Sequence, residues 1–167
     1  NLSLLSFRSN KGKSYALAAG FKEANGEVII TIDADLQDDP NEIVNLAKKI
    51  NDDFDLVSGW KRKRNDPNSK KIPSLIFNKV TSFISGVSLH DFNCGLKAYR
   101  KDVIKEINLY GELHRYIPVL AFWKGYKITE IPVKHHPRKF GYTKFGYERY
   151  LRGFMDLITI TFLNKYL

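Results

Sequence analysis

Glu27-Val-Ile-Ile-Thr-Ile-Asp-Ala-Asp-Leu-Gln-Asp-Asp-Pro40 opens as a β-branched apolar run and ends in carboxylates. The run Val28 to Ile32, bounded by Gly26 and an acidic cluster, predicts a buried strand of a parallel sheet. It stops on Asp33-Ala-Asp35, where open α/β sheets hold their ligands, just beyond the carboxyl ends of strands. Two carboxylates one residue apart can face one hard cation, Mg²⁺ or Mn²⁺, that also holds a phosphorylated ligand. The same residues read equally well as a solvated acidic turn leading into a helix. The stretch alone leaves both readings open.

Around it the chain alternates strand and helix. Tyr15 to Asn25 is Ala-rich and predicts a helix closed by Gly26, after a short apolar segment, Leu2 to Phe7, that predicts a strand. Pro40 suits the first turn of a helix over 41–51, with Ile43, Leu46, Ala47 and Ile50 on the sheet-facing side. Residues 54–59 predict the next strand. Such β-α-β steps point to a parallel, doubly wound sheet. Gly12-Lys-Ser14 is not a Walker loop, because Phe7 stands where its first glycine belongs.

The composition narrows the partners. The chain has 167 residues, a net charge of +9 and one cysteine, Cys94. Its size suits one domain with a real core. A single cysteine excludes a disulfide framework and a Cys-rich zinc site. The charge favours an anionic partner: nucleic acid, an acidic membrane surface or a phosphorylated small molecule. The stretch Trp60 to Lys71 carries six Lys/Arg against one Asp in twelve residues and predicts a phosphate-clamping loop. Ile72 to Leu89 predicts a helix with a broad apolar face, suited to a core or to a membrane interface. Residues 90–100 predict a polar turn and a short strand, and 112–124 a helix. Lys127 to Val133 alternates like an edge strand that tolerates Pro132. The pair His135-His136 lacks further spaced ligands, so a phosphate-binding loop with Arg138 as fork donor reads better there than a metal site. Phe145 to Leu167 predicts an amphipathic helix mixing aromatics with Arg, either packed on the domain or lying in a membrane interface.

Taken in order, the blocks Asn10-Lys-Gly-Lys-Ser14, Asp33-Ala-Asp-Leu-Gln-Asp-Asp-Pro40, His90-Asp-Phe-Asn-Cys-Gly-Leu-Lys-Ala-Tyr-Arg100, Leu109-Tyr-Gly-Glu-Leu-His-Arg-Tyr-Ile-Pro118 and Arg138 to Lys144 resemble family 2 glycosyltransferases. More narrowly they resemble the polyprenyl-phosphate branch, with its bactoprenol glucosyltransferases and dolichol-phosphate mannose synthases. The resemblance covers nearly the whole chain. It implies an α/β GT-A (Rossmann-like) fold: a mixed sheet flanked by helices, with amphipathic helices at a membrane interface. It implies inverting, metal-dependent transfer of a sugar from a nucleotide sugar to a polyprenyl (undecaprenyl or dolichyl) phosphate.

By that resemblance Asp33, Asp35 and Gln37 hold Mg²⁺ or Mn²⁺, and Lys11, Gly12, Lys13 and Asp33 hold the donor. Asp91 sits where a base or acceptor-orienting group is expected. Lys61, Lys70, Ser74 and Arg138 hold the acceptor phosphate. Lys at 61 and 70 stands where Arg is frequent, and lacks Arg's bidentate fork. Residues 1–144 would be a partial catalytic domain, incomplete at its N-terminus, and 145–167 a juxtamembrane helix. The Pro-x-x-Asn-Glu-type segment that binds the nucleotide base does not precede Asn1, so the chain reads as an internal piece of a longer enzyme. The resemblance places that enzyme at the cytoplasmic face of a membrane and is compatible with a homo-oligomer.

Two other classes compete. Haloacid dehalogenase-type phosphatases also end a strand in Asp-x-Asp, but Leu36-Gln37 follows here and suitable Lys and Asp-Asp partners are not evident. A nucleic-acid-binding module fits the charge, but the basic residues lie in loops and no motif of that class appears, so no nucleic-acid partner is expected. The Gln-x-x-Arg-Trp signature of processive polysaccharide synthases is missing.

Overall fold

The structure, a computed structural model, describes residues 2–62, 68–137 and 148–166, with side chains described over 2–62, 71–137 and 151–166. Its elements are α1 (Lys13–Glu23), β1 (Val28–Thr31), α2 (Glu42–Asn51), β2 (Leu56–Trp60), α3 (Asn68–Ser85), β3 (Lys97–Arg100), α4 (Lys101–Glu106), a 3₁₀ turn (Leu113–Arg115), α5 (Ile117–Trp123), β4 (Ile128–Pro132) and α6 (Glu148–Tyr166).

The sheet order is β1-β3-β2-β4. β3 runs antiparallel to both neighbours, pairing Ile29 with Tyr99 and Leu56 with Tyr99, while β2 and β4 are parallel. The expected all-parallel sheet is therefore corrected to a mixed one, as the family resemblance implied. β1 and β2 do point the same way, but β3 separates them. Both faces of the sheet are covered, which explains why its strands read as continuous apolar runs. On one face α2 sets Leu46 and Ile50 against Val57, Leu96, Ala98 and Val133. On the other, Phe21, Leu56, Tyr99, Ile104 and Ile117 build the larger core. β4 lies at the edge, where Pro132 is tolerated.

Several expectations shift. Residues 2–7 form no strand; Leu2 is 99% and Leu4 91% exposed, since an apolar run without a paired neighbour gains nothing from extended structure. α3 begins at Asn68, so Lys70 and Lys71 belong to a helix rather than a loop, and Pro73 falls inside it. The helix expected over 112–124 splits into the 3₁₀ turn and α5, because Pro118 takes a first-turn position.

α6 docks on the larger core through Leu157 and Ile160, and Tyr116 donates its hydroxyl to the Gly153 carbonyl at 2.6 Å. Its other side exposes Leu151, Met155, Ile158 and Phe162. α3, which contacts α6, exposes Ile72, Leu75, Ile76 and Phe83. The packing reading of α6 thus holds on one face and leaves an apolar face uncovered. Among the described residues, no helix is long and apolar enough to cross a membrane.

Candidate active site

The Asp33 stretch leaves β1 at the sheet's edge and meets three other segments. Lys13, at the start of α1, donates to Asp33 Oδ1 at 2.6 Å. Gly12 just before it has φ 83°, a conformation open to glycine, and its N–H is bound by Asn10 Oδ1 at 2.9 Å. Behind Asp33 lies the turn before β3. A Cβ at Gly95 would sit 2.3 Å from Asp33 Oδ2, so any larger residue there would push the carboxylate from its present position. Thr31 fixes the approach by donating to the Gly95 carbonyl at 2.8 Å.

After Asp33 the backbone folds sharply. Leu36 is left-handed, φ 60°, which is strained for a leucine. The turn lets Gln37 donate its N–H to Asp35 Oδ1 at 3.2 Å. Asp33 and Asp35 both remain partly accessible. Hard oxygens in this arrangement fit a divalent cation of the Mg²⁺ class, which uses one or two protein carboxylates and keeps the rest for water and phosphate. Gln37 is less free than expected, since its amide nitrogen donates to the His136 carbonyl at 3.2 Å. Its carbonyl oxygen is the atom left for a metal. Among the described residues no group of three or more His, Cys, Asp or Glu that could hold a metal ion forms, at the acidic turn or away from it, so a cation here would rest on two carboxylates and complete its shell with water and phosphate.

Asp91 lies in the turn that Gly95 closes. It is buried, and its Oδ1 accepts the Asn93 N–H at 3.0 Å. Lys97, unremarked in the sequence, braces this turn from beneath: its ammonium donates to the Phe92 carbonyl at 3.3 Å and to the Cys94 carbonyl. Burial pushes the Lys97 amine down, while the nearby Cys94, Asp91 and Asp33 oppose that shift. A lysine amid Leu96, Ala98 and Tyr99 is the sequence signal that marks it, a cation in a strand otherwise fit for burial. Burial also pushes the Cys94 thiol up to about 12, so it stays protonated and inert.

A family profile described as glycosyl transferase family 2 matches residues 1–108, which include this whole arrangement from Lys13 to Lys97. The chain belongs to glycosyl transferase family 2. It is 38% identical, over 99% of its length, to a dodecaprenyl-phosphate galacturonate synthase from Rhizobium johnstonii. It is 37% identical, over 90% of its length, to an undecaprenyl-phosphate 4-deoxy-4-formamido-L-arabinose transferase from Shewanella sediminis. It covers 50% and 45% of those two proteins, so it spans about half the length of the curated relatives it matches. Among solved structures, a Mycobacterium tuberculosis glucosyl-3-phosphoglycerate synthase in complex with Mn²⁺ and UDP-glucose superimposes with a TM-score of 0.65 at 14% identity, over 93% of this chain and 56% of that one. At that identity the likeness shows the fold, a GT-A-like open mixed sheet.

The acceptor-side residues expected in this glycosyltransferase chain, and Lys11 on the donor side, are placed unevenly. Arg138 and the Lys70 side chain lie outside the described residues. Ser74 is buried on α3. Lys11 is exposed beside Gly12. Lys61 is not a free cation: its ammonium lies 3.1 Å from Asp38 Oδ1, whose side chain is fully buried. Burial alone would raise the Asp38 carboxyl, but His135 and Lys61 outweigh it and hold it below the usual range. Burial likewise pulls Lys61 down, while Cys94, then Asp38 and Asp91, push it up, and the balance lies above the usual lysine value. The His135 ring lies 3.8 Å from Asp38 Oδ1, and the Asp38–His135 backbone bridge clasps the acidic turn to the segment after β4. Replacing Lys61 with Met strands a buried carboxylate and should lower stability by about 3 kcal/mol in urea unfolding. A loss below about 1 kcal/mol would show the pair to be screened like a surface one and Lys61 free to hold a phosphate.

Proposed function

We propose that this chain carries the catalytic core of a metal-dependent, inverting glycosyltransferase that moves a sugar from a nucleotide sugar to a polyprenyl phosphate. One observation carries the reading. The acidic turn that suits a metal and a donor diphosphate abuts, through Gly95, the turn that presents Asp91. On this reading the donor and acceptor sides meet at Gly95. The printed names of the two relatives, a dodecaprenyl-phosphate and an undecaprenyl-phosphate transferase, support the lipid-phosphate acceptor.

Each residue then has a task. Asp33 and Asp35, with the Gln37 carbonyl oxygen, hold Mg²⁺ or Mn²⁺ and through it the donor diphosphate. The cation neutralises charge on the departing nucleoside diphosphate. Lys13 and the amide nitrogens that open α1 add positive potential on the same side. Asp91 orients the acceptor. A lipid phosphate is already anionic near neutral pH, so it needs little general-base help. Lys11, Lys61, Lys70, Ser74 and Arg138 are the acceptor- and donor-side candidates. Lys61 acts only to the extent that Asp38 releases it.

The uncovered apolar faces of α3 and α6 suit a membrane surface, where the acceptor resides, and the positive charge suits its cytoplasmic leaflet. The test is product formation. The full-length protein, given a panel of nucleotide sugars, Mn²⁺ and farnesyl phosphate, should yield a glycosyl farnesyl phosphate by mass spectrometry, and chelation should stop it. Release of inorganic phosphate without glycosyl lipid would favour the phosphatase class instead.

A further inference from the structure

His90 is a surface histidine held as tightly as a buried one. Its side chain is 65% exposed. Its backbone N–H donates to Glu130 Oε2 at 2.9 Å, and its ring Nδ1 pairs with Glu130 Oε1. The ring stacks on Trp60, centroids 4.2 Å apart and planes 17° apart. Its carbonyl accepts the Asn78 side-chain amide at 2.7 Å. A free surface imidazole would keep its rotamer freedom, and these restraints remove it without adding to either core. Because Glu130 occupies Nδ1, the ring's other nitrogen, Nε2, is the one left for a ligand.

The surroundings indicate which ligand. His90 adjoins Asp91, and Trp60 beneath the ring adjoins Lys61. Ser74 lies one helical turn before Asn78 on α3, so it stands about 6 Å along the helix from the residue that grips the His90 carbonyl. His90 also borders a groove of about 500 Å³, floored by Leu75, Phe83, Val87 and Leu89, with Lys79 at its rim. Phe83 is 90% exposed there. An apolar floor with Lys79 and His90 at its border suits an amphiphile with a phosphate head and a hydrocarbon chain.

We propose that His90 is a further binding residue for the acceptor. In its imidazolium form the ring gives Nδ1–H to Glu130 and Nε2–H to a phosphate oxygen of the polyprenyl phosphate, Glu130 and Trp60 fix the ring for that contact, and the groove receives the first isoprene units. This rests on the acceptor assignment made above.

Calorimetric binding of farnesyl phosphate to the full-length protein tests it without requiring turnover. His90→Ala should weaken binding about tenfold, the value of one charge-assisted hydrogen bond, and His90→Gln should weaken it less. Glu130→Gln should also weaken it. Nucleoside diphosphate affinity and the thermal midpoint should stay at wild-type values. Phe83→Ser should weaken farnesyl phosphate but not isopentenyl phosphate. Unchanged farnesyl phosphate affinity in His90→Ala overturns the proposal. So does a joint fall of donor affinity and thermal midpoint, which would make His90 only a brace. Competition by inorganic phosphate as strong as by farnesyl phosphate overturns the groove assignment. If wild type binds farnesyl phosphate through His90 yet transfers no sugar, the binding site stands and the transferase reading fails.

Discussion

Asp33→Ala should reduce sugar transfer by about three orders of magnitude, roughly 4 kcal/mol of transition-state stabilisation. The substitution removes a carboxylate proposed to hold the metal and at the same time frees Lys13, which now spends its charge on Asp33 at 2.6 Å. Metal-dependent binding of the nucleoside diphosphate should be lost with it. The fold should survive, because Asp33 is partly exposed and anchors no core residue. Asp33→Asn should fall between, since an amide oxygen coordinates but carries no charge. Activity and Mn²⁺ affinity measured on the same preparations check this, and a drop in turnover with unchanged Mn²⁺ affinity would move the metal elsewhere.

Asp91→Asn should lower turnover by about two orders of magnitude while leaving nucleotide binding within about twofold. Asparagine retains the oxygen that accepts the Asn93 N–H at 3.0 Å, so the turn should keep its shape. What it loses is the negative charge that the proposed acceptor-orienting role requires. Equal losses of turnover and donor affinity would show that the turn itself had moved, and with it Asp33 through the Gly95 contact. Steady-state kinetics alongside nucleotide titration separates the two outcomes.

The acidic turn and the Asp91 turn were legible because their chemistry is local. Asp33, Asp35 and Gln37 fall within five consecutive residues, and Gly95 belongs to the same short block as Asp91. The pairing of strands was not legible from pattern. β3 enters between β1 and β2 from far along the chain, and a strand buried on both faces looks the same whether its neighbour runs parallel or antiparallel. The resemblance to a known family supplied the mixed sheet that periodicity alone could not. Lys61 shows the same limit in electrostatics. Lys61 in a basic run reads as a free clamp until the fold brings Asp38 to it. His90 and Glu130 were hidden for a related reason: each meets its partner from another element.

The most direct test is the position of the metal. A crystal structure of the full-length protein with Mn²⁺ and a nucleoside diphosphate should show the anomalous peak on Asp33 and Asp35, at about 2.2 Å from their oxygens, with the diphosphate towards Lys13. A peak at Asp38 and His135 instead, with Asp33 still bound to Lys13, would contradict the assignment of the acidic turn as the donor site.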